Sequence, residues 1–225
     1  MPTPQKLENL KQGAENPSTD LNRAFSELCN LFPEEEYKAL VPYFKYIQQI
    51  SAIFPSDHGV TKEEEEAKRS LVIAICAAMT AGLTSNTTVL NQYLQSAFDL
   101  LAQASDLIKR GHFLPAKHTA LYINEVTDIV LGKTEIPEAA KTKIEQCAAH
   151  HFHEGRLFDH RGLQAKFANL IASLIAFLTG KTNDTSSLKN APRTAQKATF
   201  FQQTALQFFS PPPSRVCVYS TNFTV

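Results

Sequence analysis

The sequence predicts an all-α protein: a single multi-helix bundle of about seven to nine helices, followed by a C-terminal helix and an extended, proline-containing tail. Three observations predict it. Apolar residues recur every three or four positions through most of residues 21–178, the period of a helix with one buried face. Glycine is scarce, at 8 of 225 residues, which disfavours a loop-rich β protein. The periodic stretches are separated by short connections marked by proline, glycine and capping residues. A chain of this length holds one substantial core and is short for two. The expected organisation is a helical bundle domain over 1–180, then a linker, a last helix and a tail over 181–225.

Each element has its own warrant. Pro17-Ser18-Thr19-Asp20 supplies a helix start, after which Leu21, Ala24, Phe25, Leu28, Cys29 and Phe32 fall on one stripe. Pro33 ends that helix, and Glu34, Glu35 and Glu36 suit the positive end of the next. Pro42 lies inside this second pattern and should kink or divide it before Tyr43, Tyr46, Ile47, Ile50 and Phe54 continue the apolar face. Thr61 and Glu64 have capping-box spacing. The block LVIAICAAMTAGL that follows, residues 71–83, is apolar all round. At ~13 residues against the ~20 a membrane span needs, it reads as the central buried helix. Leu90, Leu94, Ala97, Leu101, Ala104 and Ile108 give the cleanest amphipathic stripe, stopped at Gly111. Further helices run from Pro115 to Leu131, from Pro137 to Gly155, and through LQAKFANLIASLIAFLTG, residues 163–180. Residues 181–192 read as a linker and 193–209 as the last helix. Pro211-Pro212-Pro213 then forces extended geometry, and Val216 and Val218 alternate as in a strand.

Charge and motifs exclude several classes. The 22 basic and 22 acidic residues cancel, so the chain as a whole has no field that would gather nucleic acid. Residues 1–70 are mildly acidic, and 181–225 carry five basic residues against Asp184 alone. The start, MPTPQKLENLKQG, lacks the apolar core of a secretory signal. Cys29, Cys76, Cys147 and Cys217 form no CxxC pair and read as free thiols of a cytoplasmic protein. No Gly-rich phosphate loop, HExxH or G-x-S-x-G occurs, so no catalytic signature marks an enzyme.

The segment CAAHHFHEGRLFDHRG, residues 147–162, holds four of the seven histidines. Cys147 and His151 share one helix face at i and i+4; His150 and Glu154 share another about 100° away; His153 points elsewhere. Cys147, His150, His151, His153 and Glu154 are therefore candidate ligands for a transition metal such as zinc or iron. Two other readings stand beside that one. Histidines at a helix C-terminus can simply satisfy its carbonyls and dipole, with Asp159 capping the next helix. They can also serve catalysis, or sense pH by loosening this junction below roughly pH 6.

The tail offers partner-binding candidates: Phe200, Phe201, Phe208 and Phe209 in the last helix, and Phe223 and Val225 at the end. Lys189, Arg193 and Lys197 beside those rings would suit contact with an anionic membrane surface. The small polar residues Ser220, Thr221 and Asn222 before Phe223, with a helical composition rich in Phe, Asn and Gln and without Trp, resemble type IV-secreted bacterial effector proteins. That resemblance names no specific family. It implies export into a host cell without a classical signal peptide and action on a host protein. The expectation is a non-enzymatic helical protein-interaction module. The alternative is a metal-binding or His-dependent helical enzyme using residues 147–160.

Overall fold

The computed structural model describes residues 5–54, 60–84, 88–131 and 137–179. All of them belong to one unit, Met1–Asn183. Among these residues are eight α-helices and two short 3-10 segments, with no strand. The expected linker, last helix and tail over 181–225 lie outside the described residues.

The bundle is organised around α4, Lys62–Thr84, whose main neighbours include α1 (Gln5–Glu15), α2 (Leu21–Cys29), α5 (Thr88–Lys109) and α6 (Phe113–Leu131). α4 is buried on nearly all sides from Leu71 to Ala81. It is also the described helix long and apolar enough to cross a membrane by length and composition. However, 72% of its most apolar window is buried inside the bundle, as expected of a core helix. Alanines at 74, 77, 78 and 81 keep its surface low, so neighbouring helices approach closely on several sides. Its polar residues are satisfied locally. Ser70 Oγ donates to the Glu66 carbonyl and Thr80 Oγ1 to that of Cys76 (both 2.9 Å). The buried Lys68 ammonium meets Glu64 one turn back at 2.7 Å. Thr61 Oγ1 accepts from Glu64 N at 3.2 Å, half of the expected capping box.

α1 forms in the polar start of the chain, for which the sequence predicts no helix. Only Leu7 and Ala14 are fully buried on it. It is held from outside as well. The Arg69 guanidinium of α4 donates to the carbonyls of Ala14 (2.7 Å), Asn16 (2.5 Å) and Pro17 (3.0 Å), at and just beyond the end of α1.

The other elements follow their sequence signals closely. Asp20 caps α2, its Oδ1 accepting from Asn22 N and Arg23 N. Pro42 divides its stretch into a 3-10 segment, Glu35–Tyr43, and α3, Phe44–Ser51. The apolar stripe of α5 is buried throughout. α5 ends at Gly111, whose φ of +77° lets His112 N reach the Leu107 carbonyl and Gly111 N that of Ile108, both at 2.9 Å. α6 begins at Phe113, two residues before Pro115. α7 spans Pro137–Glu154 and α8 spans Arg161–Thr179. Leu163, Phe167, Leu170 and Leu174 line one face of α8, which packs chiefly on α5, and Lys166 meets Asp99 across that contact at 3.1 Å.

Candidate functional site

The histidine-rich stretch lies where α7 meets α6. α7 turns Ile144, Cys147, Ala148, His151 and Phe152 inward, the i, i+3, i+4, i+7 pattern of one helix face. α6 answers with His118, Tyr122 and Glu125 on successive turns. The result is a file of polar side chains between two helices.

His151 is its centre and is 2% exposed. Its Nδ1 lies 3.1 Å from His118 Nδ1 in a hydrogen bond. Its Nε2 lies 3.2 Å from Glu125 Oε2, yet off the line a ring N–H would need, so this buried nitrogen has charge contact without an aligned hydrogen bond. Burial lowers the affinity of His151 for a proton, and Glu125 opposes that effect. His118 is lowered by burial too, and then by His151, Lys117 and His150 around it. Both imidazoles are therefore neutral at neutral pH. Cys147 is half-buried, and its thiol is pushed up to about 11, first by burial and then by hydrogen bonding and repulsion from Glu125. A thiol in that state is not an activated nucleophile.

An aromatic cluster lies against the pair. Tyr122 packs edge-on to His151 and against Phe167 of α8, with centroids 6.2 and 5.2 Å apart. Phe152 meets Phe167 at 4.7 Å. Gly155 lets the helices close to this distance. A Cβ there would lie 2.5 Å from His118 Cβ and 2.8 Å from the His151 carbonyl. The left-handed residue that turns the chain after α7 is Arg156, with φ 50°, rather than this glycine.

The remaining candidates disperse. His150 is exposed and touches the His151 ring edge-on at 5.0 Å. His153 and Glu154 are exposed and bonded to each other at 3.1 Å, which holds the Glu154 carboxyl below its ordinary range. Asp159 ends a 3-10 turn, Leu157–Asp159, and His160, the residue before α8, packs on His112. Among the described residues no three His, Cys, Asp or Glu side chains converge to hold a metal ion. Phe200, Phe201, Phe208, Phe209, Phe223 and Val225 lie outside the described residues.

Sequence spacing thus found Cys147 and His151 on one face but missed what faces them. His118, Tyr122 and Glu125 are spaced i, i+4, i+7, one line of polar-tipped side chains along α6, and that was the available signal. Chemically, the file Glu125–His151–His118 can hold a proton and orient an imidazole. Comparison with protein-family models, with curated proteins and with solved structures gives no match.

Proposed function

We propose that the chain is a non-enzymatic helical protein-interaction module, and that the bundle is the scaffold from which residues 181–225 engage a partner protein. One observation supports this most directly. The apolar faces of the described helices are used up inside the bundle, leaving Val41, Val60 and Leu114 as the exposed large hydrophobics among the described residues. Val41 lies in the 3-10 segment, Val60 just before α4 and Leu114 in α6, far apart in the sequence. The apolar side chains suited to a partner groove are then Phe200, Phe201, Phe208 and Phe209, in a stretch with five basic residues and one acid.

The resemblance of Ser220-Thr221-Asn222-Phe223 to type IV translocation signals supplies the setting: a cytoplasmic protein delivered into a host cell, where the partner is a host protein. The test has two parts. A chain truncated before Lys189 should keep a cooperative thermal transition close to that of the full chain. A photo-crosslinking residue at Phe208 should capture one discrete protein, and Phe200→Ala with Phe201→Ala should abolish capture. If truncation removes the cooperative transition, those phenylalanines complete the bundle core and the proposal fails.

A further inference from the structure

The His118–His151 contact joins two titratable groups that share one hydrogen bond. With Nδ1 facing Nδ1 at 3.1 Å, one ring donates and the other offers a lone pair. Glu125 fixes the direction. If His151 donated from Nδ1, its Nε2 lone pair would face a carboxylate oxygen at 3.2 Å. The favourable arrangement is therefore His118 Nδ1–H donating to His151 Nδ1, with the His151 hydrogen on Nε2 toward Glu125. One added proton is tolerated, because an imidazolium at His151 donates from Nδ1 to His118 and has the Glu125 carboxylate 3.2 Å from its Nε2. A second is not, since it would set two cations about 3 Å apart in a buried contact.

The surroundings do not relieve that repulsion. On the α6 side stand Lys117, which repels a positive charge, and Glu125, which attracts it. On the α7 side stand His150, which repels, Glu154, which attracts from an exposed position, and the protonated Cys147 thiol. α8 contributes Phe167 to the cluster, while its Lys166 is engaged by Asp99. α7 is also an edge helix. Its main neighbours are α6, α8 and the 3-10 turn after it, whereas α4 is enclosed by several helices.

We propose that the His118–His151 contact is an acid-sensitive latch: when both imidazoles carry a proton, α7 releases from α6 and uncovers the Tyr122–Phe152–Phe167 cluster, while the α4 centre stays folded. The sense follows from proton counting. Imidazoles of the released helix titrate near the ordinary value of about 6.5, and those of the closed pair lie lower. Between the two values the released form binds more protons, so closure is complete above about pH 6.5 and is lost as pH falls below it.

Amide hydrogen exchange, corrected for intrinsic rates, tests this between about pH 7.5 and pH 5.0. Peptides from 142–154 should lose protection by at least about tenfold relative to α4 peptides. Fluorescence of an apolar dye should rise in step, with helical ellipticity nearly unchanged. His118→Gln keeps an amide donor for His151 Nδ1 but removes the second charge, so its α7 peptides should hold their protection at low pH. Histidine NMR titration of the wild-type chain gives an independent readout, with the His118 and His151 signals moving in linked steps below the ordinary range. Flat α7 protection, an equal loss in His118→Gln, simultaneous loss from α4, or titration of the pair at the ordinary value would each overturn the latch.

Discussion

Replacing Gly155 with alanine asks how tightly the α6–α7 junction is built. The new methyl would meet His118 Cβ at 2.5 Å and the His151 carbonyl oxygen at 2.8 Å. Neither neighbour is a flexible end: one is the first carbon of its side chain and the other is backbone. Carbon atoms prefer about 3.5–4.0 Å, so one helix end must move by roughly 1 Å. The His118–His151 hydrogen bond, now 3.1 Å, lies across that movement. Stretched past about 3.5 Å it no longer counts as a bond. Overpacking costs about 1–3 kcal/mol, and losing the net worth of one hydrogen bond adds about 0.5–1.5. The sum is roughly 1.5–4.5 kcal/mol, or a melting temperature lower by about 3–18 °C in a domain of this size. Gly13→Ala is the control. It lies inside α1 with no atom within 4 Å of the added methyl, so it should stabilise by about 0.5–1 kcal/mol. Thermal scans and urea titrations near pH 7.5 read both variants. If Gly155→Ala melted within a degree of the wild type, the close approach of α7 to His118 would be refuted, and the latch with it.

Three further outcomes follow from other contacts. Arg69→Lys cannot reproduce the planar fork that meets three carbonyls at the end of α1, so it should cost about 1.5–3 kcal/mol and raise hydrogen exchange first in α1 peptides. Glu125→Gln removes the charge that helps hold the Cys147 thiol protonated, so alkylation of Cys147 near pH 8.5 should speed up while Cys76, buried and pushed up to about 12, stays slow. An unchanged Cys147 rate would place Glu125 away from the thiol. Deleting residues 216–225 should abolish delivery of a reporter fusion by a type IV system and leave the melting temperature of the bundle unaltered; delivery at full level would remove the effector setting.

The elements that were legible in the sequence are those whose signal is local. Asp20, Thr61, Pro42 and Gly111 each act on backbone within a few residues, and each does in the structure what its chemistry demands. The α5 stripe was legible because a single helix face goes to a single side. α1 was not, because two buried residues make a faint period and its end is secured by Arg69, more than fifty positions away. The histidine site divides in the same way. Cys147 and His151 shared a face by spacing alone, but His118 lies 33 residues before its partner, and spacing within one helix says nothing of what another helix presents to it.

The buried polar atoms of the bundle are satisfied unequally. Within α4, Ser70 and Thr80 return their hydroxyls to carbonyls four residues back, and Thr119 and Thr127 do so within α6. Such bonds survive as long as the helix itself does. Elsewhere in the described bundle, Ser105 Oγ of α5, Tyr122 Oη and Asn124 Oδ1 of α6 and His151 Nε2 of α7 are buried without a hydrogen-bond partner in the protein. Each buried polar atom left unpaired costs about 1–3 kcal/mol, a cost that water would remove if the helices parted. Two of these atoms, Tyr122 Oη and His151 Nε2, belong to the α6–α7 contact, so part of that contact is offset by groups that favour solvent. Local opening energies in a folded domain follow this kind of inequality. At the α6–α7 contact this cost stands beside the His118–His151 hydrogen bond, which depends on the protonation of two histidines.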